Sequence, residues 1–401
     1  MKIYYEAYGC TLSKAEAGLY VNKMLGEGNT LVDSPADADI SVINTCVVIK
    51  GTEDRMIDRI SQMSSQSRVR VLGCLSSVGG NAIGGERIEV IRPREFRSFY
   101  AGNLDDIEIR EPSIFEGIPI NQGCTGSCNF CISHIARGKL VSRPQEKIVS
   151  QVRMQLERGI REVRISSLDT AAYGKDLNIR LHDLVDGITS IDADFRLRIG
   201  MMEPKNTLEI LSPLLDSMEN VKVFKFLHLP VQNGDNRVLE SMNREYSAEE
   251  FIRIVEEYRR RFPDSVLSTD IITGYHADDE ESFERTCSIL EHAAPEICNI
   301  TRYSPRPYTV DYDRSPPPSN KVKRWTKEIT ELHRRITSEK LQRQVGRYVN
   351  LMITERGKNG TWVGRDDAYR PVVVPGELTL YSRLNVEIVA TGSTYLIGKV
   401  S

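Results

Sequence analysis

Residues 121–138 read NQGCTGSCNFCISHIARG and set Cys124, Cys128 and Cys131 at a CxxxCxxC spacing. Thiolates are soft ligands suited to zinc or iron. A closed zinc site requires a fourth Cys or His, for which His134 is the only nearby residue. A dithiol redox pair needs only CNFC and leaves Cys124 without a task. Haem attachment needs CxxCH, whereas Ile132 and Ser133 follow Cys131. The remaining reading is a cubane iron–sulfur cluster held by three thiolates, with one iron lacking a protein ligand.

An iron with an open position has a chemical use. It can chelate the amino and carboxylate groups of S-adenosylmethionine, and an electron from the cluster can then cleave the sulfonium to a primary carbon radical. Three further cysteines stand apart: Cys10 in YGC, Cys46 in NTC and Cys74 in LGC. Each follows a run with strand character, KIYYEAY, ISVINT or RVRVLG, and helical stretches from Ser13 and from about Gly51 separate these runs. The first hundred or so residues therefore read as βαβαβ. Ser13 with Glu16 three residues later matches a capping box and predicts a helix start at Ser13. In a parallel sheet the carboxyl ends of the strands share one edge, so Cys10, Cys46 and Cys74 are expected to converge there. One buried cysteine is usually just a small hydrophobe; three in one topological position read better as a second metal-binding group. The run SSVGGNAIGGERIEV (76–90) is neither GxGxxG nor a P-loop, and it reads as a flexible loop.

A second segment starts near Ile114. GIPINQ, EVRISSL, FRLRIGM, VFKFLHL, VLSTDII and CNITRYS are strand candidates separated by helical periodicity, as in EEFIRIVEEYRRRF. Six βα units predict an incomplete barrel with its chemistry at the carboxyl ends of the strands, and the cysteine loop follows the first strand at that end. Asp169, Arg198, His228, Gln232 and Asp270 lie in or just after predicted strands at the same end and are the pocket candidates. His134 and Arg137, just past the cysteine loop, read as cofactor contacts or as caps of the next element. Cys287 and Cys298 match no ligand pattern and are expected to pack. After SPPPS (315–319), a basic helix runs from Asn320 towards Arg347, either a solvated connector or an RNA-facing surface. From Tyr348 onward, short alternating runs predict a small β-barrel, an architecture that commonly binds oligonucleotides.

The bulk composition sets the outer bounds. A length of 401 residues predicts two or three domains. A net charge of -3 excludes nonspecific coating of nucleic acid, which needs clustered cations, but leaves room for a local basic surface. No run of eighteen apolar residues is present, and MKIYYEAYGC lacks the apolar stretch of a signal peptide. The expectation is a soluble cytoplasmic protein without a membrane partner. In that compartment eight cysteines serve as metal ligands or catalytic thiols more readily than as disulfides.

CxxxCxxC with Phe130 before its last cysteine, on the first loop of a partial βα barrel, resembles the radical S-adenosylmethionine superfamily. Together with Cys10, Cys46 and Cys74 upstream and a small barrel downstream, nearly the whole chain resembles the methylthiotransferases. ARGKLVSRP (136–144), SSLDTAAYGKD (166–176), RIGMMEP (198–204) and FLHLPVQNGDNRVLESMNREY (226–246) are most similar to the archaeal and eukaryotic branch acting on N6-threonylcarbamoyladenosine beside the tRNA anticodon. The resemblance implies an α/β fold: an N-terminal doubly wound α/β domain (1–108), a central partial (β/α)6 radical-SAM barrel (109–338) and an OB-like TRAM barrel (339–401). It implies that Cys124, Cys128 and Cys131 hold a radical-generating 4Fe-4S cluster. Cys10, Cys46 and Cys74 would hold an auxiliary 4Fe-4S cluster that carries the sulfur to be inserted. Phe130, Asp169, Arg198, His228, Gln232 and Asp270 are the expected cofactor contacts, and no residue is assigned as a catalytic acid or base. The implied partners are S-adenosylmethionine, a tRNA anticodon stem-loop and an electron donor such as a ferredoxin or flavodoxin. Alternatives are action on isopentenyl-adenosine or on a ribosomal-protein aspartate, or a nonenzymatic RNA-binding protein stabilised by zinc. Eukaryotic members usually carry a membrane-anchoring tail, and the ending LIGKVS is expected of a soluble, archaeal-like enzyme. YGCTLSKAEA and GYHADDEE depart from the common family patterns, so contacts from those loops are not carried over.

Overall fold

The computed structural model describes residues 1–96, 107, 109–111 and 117–400. The expected segment start near Ile114, and residue 108 of the first expected boundary, lie outside the described residues. The chain forms two compact units. The first comprises Met1–Gln155, Arg164–Gly187 and Ser304–Arg314, and the second Leu156–Val163, Ile188–Tyr303 and Ser315–Ser401.

In the first unit, β1 (Lys2–Ala7), β2 (Thr30–Leu31), β3 (Ile40–Thr45), β4 (Arg68–Gly73) and β5 (Ile88–Val90) form one parallel sheet in the order β2-β1-β3-β4-β5. Every residue of β3 is buried, as expected for a central parallel strand covered on both faces. Between its strands run α1 (Thr11–Gly26) and α2 (Lys50–Ser64). The strand order reverses between β1 and β3, and a ligand of such a sheet binds at the carboxyl ends beside that reversal. Cys10 follows β1 closely, Cys46 follows β3 directly and Cys74 follows β4 directly.

Two local expectations are corrected here. Helix α1 begins at Thr11 with Cys10 in the N-cap position and no side-chain cap, so Ser13 and Glu16 form no capping box. The earlier start turns both side chains inward: the Ser13 hydroxyl donates to Asn44 Oδ1 (3.0 Å), and Glu16 faces Arg137. The glycine-rich run is also more regular than a flexible loop. It folds as α3 (Leu75–Val78), a 3-10 turn (Gly80–Ile83) and β5, because Val78, Ile83 and Ile88 pack onto one hydrophobic cluster.

All six strands expected in the central segment are present. In the first unit β6 (Ile118–Pro119) pairs in parallel with the end of β9 (Glu162–Ser166). The short antiparallel pair of β7 (Asn121–Gln122) and β8 (Val141–Ser142) brackets the cysteine loop. In the second unit β10 (Arg196–Ile199) precedes β11 (Phe226–His228), β12 (Val266–Thr273) and β13 (Ile297–Arg302), and the last three form a parallel sheet. The helix Ala248–Arg261 opens with a capping box from Ser247 and Glu250 and closes with three arginines, matching its macrodipole at both ends.

The second unit also contains the helix Ser319–Gln342 and a closed barrel of β14 (Tyr348–Arg356), β15 (Thr361–Arg365), β16 (Pro371–Pro375), β17 (Arg383–Thr391) and β18 (Leu396–Val400). The helix buries Val322, Trp325 and Ile329. Arg324, Lys327, Arg335 and Lys340 pair with Glu280, Glu331, Glu291 and Glu296 respectively. Much of the basic run is thereby neutralised, which favours the connector reading over an RNA-facing one. Tyr369 meets Phe224 and Phe226 edge-on (4.8 and 5.4 Å) and donates its hydroxyl to Glu162 (2.7 Å), which seats the barrel on strands of the same unit.

In the divergent GYHADDEE loop, Asp278 accepts from the backbone N–H groups of Gly274 (2.7 Å) and Tyr275 (3.0 Å), from Asn233 (2.9 Å) and from Ser282 (3.2 Å). Burial nevertheless pushes its carboxyl up to about 6. A folded-state value above the unfolded one favours the protonated form, so this stabilisation is complete below about pH 4 and is lost as pH rises through about 6. Asp278→Asn is therefore expected to gain on the wild type by about 2 kcal/mol between pH 4 and pH 6, read as the difference in urea midpoints. A difference that stays flat over that range would contradict the assignment.

Candidate metal centres

The cysteine loop is closed at its base. Beyond the β7/β8 pair, Cys124 donates its backbone N–H to Gly138 O (3.1 Å) and bridges Lys139. Gly123 has φ +79°, and a β-carbon there would meet Gly138 O at 2.6 Å, so only glycine fits. Cys131 is the N-cap residue of α4 (Ile132–Arg137). Cys128 and Cys131 both lie within electrostatic range of Cys124. Burial, reinforced by the neighbouring Asp169 carboxylate, pushes the Cys124 thiol up to about 12. Asp169 is itself buried and accepts from the Ala171 N–H (3.1 Å). Phe130 is part-buried within the loop.

The other three cysteines converge as the strand order predicts. Cys74 is buried and interacts with both Cys10 and Cys46, and burial pushes its thiol up to about 11. Burial also raises the Cys46 thiol, against the hydrogen bonds it receives from the backbone of Val48 and Val47. Cys10 is exposed at the rim. Gly73, immediately before Cys74, has φ +87° and no room for a β-carbon beside Thr45. Arg137, at the last turn of α4, donates from Nε to Cys74 Sγ (3.3 Å) and from Nη1 to Glu16 Oε2 (2.7 Å). Although burial opposes its charge, Glu16, Cys74 and Cys10 hold the Arg137 guanidinium well above its ordinary range. A six-residue helix thus begins on one cysteine group and ends on the other.

A second connection is the segment Ser304–Arg314. Ser304 accepts from the N–H of Lys50 at the start of α2 (3.3 Å), and the Asp311 N–H donates to Asn129 O within the cysteine loop (3.2 Å). Between these points Arg306 is 2% exposed and forms an ion pair with Glu53. Thr309 N–H returns to Arg306 O (3.3 Å) across Pro307 and Tyr308, a type II turn in which Tyr308, at φ +72°, takes the place usually given to glycine.

Among the other candidates, His228 Nε2 faces both Asp270 oxygens (3.2 and 3.3 Å), and Asn299 donates to Asp270 Oδ1 (2.6 Å). Burial opposes ionisation of Asp270, yet His228 and Asn299 hold its carboxyl below the usual range. Gln232 adopts φ +65° and straps β12, donating its N–H to Asp270 O and accepting from Ile272 N–H. The Arg198 guanidinium stacks on Phe226 (4.7 Å) and Tyr369 (5.1 Å). Cys287 and Cys298 are part-buried, and burial pushes their thiols up to about 11 and about 12.

Models of known families match three successive stretches: the uncharacterized protein family UPF0004 over residues 2–91, the radical SAM superfamily over 118–290 and the TRAM domain over 342–401. A protein of Methanothermobacter thermautotrophicus, named as a probable threonylcarbamoyladenosine tRNA methylthiotransferase, is 34% identical over 99% of both chains. The chain belongs to the radical S-adenosylmethionine methylthiotransferase family. A Pyrococcus abyssi protein of the same name is 34% identical over 100% of this methylthiotransferase and 99% of its own length. A Thermotoga petrophila tRNA-2-methylthio-N(6)-dimethylallyladenosine synthase is 30% identical over 100% and 97%. Among solved structures, the radical S-adenosylmethionine methyltransferase TsrM of Kitasatospora setae shares the fold, with a TM-score of 0.58 at 13% identity over 78% of this chain and 77% of that one.

Enzymes of this family use S-adenosylmethionine and 4Fe-4S clusters. The cysteine groups of the methylthiotransferase fit them. Among the described residues no three His, Cys, Asp or Glu side chains converge tightly enough for a single ion. A cubane, whose thiolates bind separate irons, makes no such demand. A cluster held by these groups would have to displace protons from the raised thiols of Cys74 and Cys124, which would couple its loading to pH. Sequence reasoning named Arg137 without a partner, gave Glu16 only a capping role, and missed Asn299 and Arg306. Glu16, Asn299 and Arg306 each act through residues distant in sequence.

Proposed function

We propose that this methylthiotransferase inserts a methylthio group at carbon 2 of N6-threonylcarbamoyladenosine beside the anticodon of tRNA, in the cytoplasm, with electrons from a ferredoxin or flavodoxin. The observation that carries the substrate is that archaeal relatives bearing this name align at 33–34% identity, four of them over nearly the full chain. The dimethylallyl-adenosine enzymes stand at 30%. Residues 1–108 would form the auxiliary-cluster domain, 109–338 the radical core and 339–401 the RNA-binding barrel.

Cys124, Cys128 and Cys131 would hold the radical-generating cluster, and Cys10, Cys46 and Cys74 the auxiliary one. When bound, these groups supply the electron that cleaves S-adenosylmethionine and the sulfur that is inserted. The protein's own part is to bind and orient. In the first unit Phe130 and Asp169 would be cofactor contacts. In the second unit Asp270, held below the usual carboxylate range by His228 and Asn299, would be a hydrogen-bond acceptor for the cofactor, with Gln232 fixing that strand and Arg198, stacked on two aromatic rings, a further contact.

Nucleoside mass spectrometry of tRNA from cells with and without the gene tests the reading. The 2-methylthio derivative of N6-threonylcarbamoyladenosine is expected to disappear and to return on complementation. An unchanged level would overturn the substrate assignment.

A further inference from the structure

Arg306 is a buried cation with spare donors. Its Nε and Nη1 are buried and meet no hydrogen-bond acceptor among the described residues, while Nη2 is committed to Glu53. An unsatisfied buried N–H costs about 1–3 kcal/mol, more when it belongs to a charged group, so its persistence requires a reason. The charged groups that reach the guanidinium beside Glu53 are the Cys46 thiol and Tyr312. Cys46 already receives two backbone N–H groups, and Arg137 donates to Cys74. Two buried guanidiniums thus act on the three-cysteine edge, one engaged with a thiol and one with donors to spare. The type II turn at Pro307–Tyr308 and the ion pair with Glu53 fix the second in place.

We propose that Arg306 is the positioning residue for an anionic sulfur ligand, a hydrosulfide or thiolate, held at the Cys10–Cys46–Cys74 centre. This rests on the auxiliary-cluster reading above. A cubane with three thiolates is already anionic, and a further sulfur anion adds charge that a buried site must compensate. Arg306 supplies both the charge and two unpartnered N–H groups, which a Lys ammonium cannot present in the same fork.

The probe is methanethiolate, titrated anaerobically into the full chain reconstituted with iron and sulfide and followed by the electron paramagnetic resonance signal of the auxiliary cluster. Iron and acid-labile sulfide are counted in every sample. Wild type carrying only one cluster would overturn the auxiliary-cluster reading itself. With both clusters present, Arg306→Met is expected to raise the half-saturating methanethiolate concentration at least tenfold, and Arg306→Lys to fall between it and wild type. Glu53→Gln, whose amide oxygen can still accept from Arg306 and hold it in place while the competing negative charge is removed, is expected to bind at least as tightly as wild type. Half-saturation of Arg306→Met at the wild-type concentration overturns the proposal. So does loss of the auxiliary cluster in Arg306→Lys, which would make the residue structural.

Discussion

A Cys10→Ala, Cys46→Ala, Cys74→Ala enzyme is expected to form 5'-deoxyadenosine from S-adenosylmethionine while making no methylthiolated nucleoside. The three residues gather at the reversal point of the N-terminal sheet, apart in sequence from the CxxxCxxC loop closed by β7 and β8. Methylthiolation should fall by more than about 10³-fold, because no side chain replaces chemistry that a cofactor carries. Iron should fall from about eight to about four atoms per chain, one cubane's worth. Product analysis and iron counting on one sample decide the outcome. Loss of deoxyadenosine together with the nucleoside would show that the two cysteine groups do not work separately.

Gly123→Ala should produce the opposite separation. At φ +79° a side chain costs about 1–2 kcal/mol in backbone strain, and its clash with the Gly138 and Lys139 backbone adds about 1–3 kcal/mol. The contact displaced is the one that seats Cys124, so deoxyadenosine formation should fall by more than about 10²-fold, in line with an ångström-scale misplacement of a catalytic group. The auxiliary cluster should remain. Gly73→Ala, beside Cys74, is the reciprocal case, expected to lose the auxiliary cluster and keep deoxyadenosine formation. Spectroscopy of the two variants side by side would expose a shared folding defect as loss of both signals in either one.

The features legible in the sequence were those written locally. CxxxCxxC is a contiguous spacing, and the strand runs that end at Cys10, Cys46 and Cys74 fix a topology whose sheet edge follows from connection rules. The same local logic misled at Ser13 and Glu16, where a capping pattern coincided with a helix that starts two residues earlier and buries both side chains. It also gave the 76–90 run more freedom than it has, since Val78, Ile83 and Ile88 find partners only after the sheet assembles. Arg306 follows a strand that ends 256 residues downstream of Cys46, and nothing in RPYTVDYD announces the thiol within its electrostatic reach. Arg137 was named from its place beside the loop, yet its contact with Cys74 spans 63 positions. Convergence over such distances is a property of the packed chain, and no window of sequence encodes it.

The Ser304–Arg314 segment touches the start of α2 beside Cys46 and the CxxxCxxC loop at Asn129, while α4 joins Cys131 to Cys74 through Arg137. Occupancy of either cysteine group therefore orders backbone that belongs to the other. Linkage makes such coupling reciprocal: whatever factor the first cluster contributes to retention of the second is returned in full. Iron uptake by this enzyme should then be cooperative at limiting iron, where a chain that holds one cluster takes up the second more readily, while at saturating iron each centre still fills when the other is removed, as in the cysteine and glycine variants.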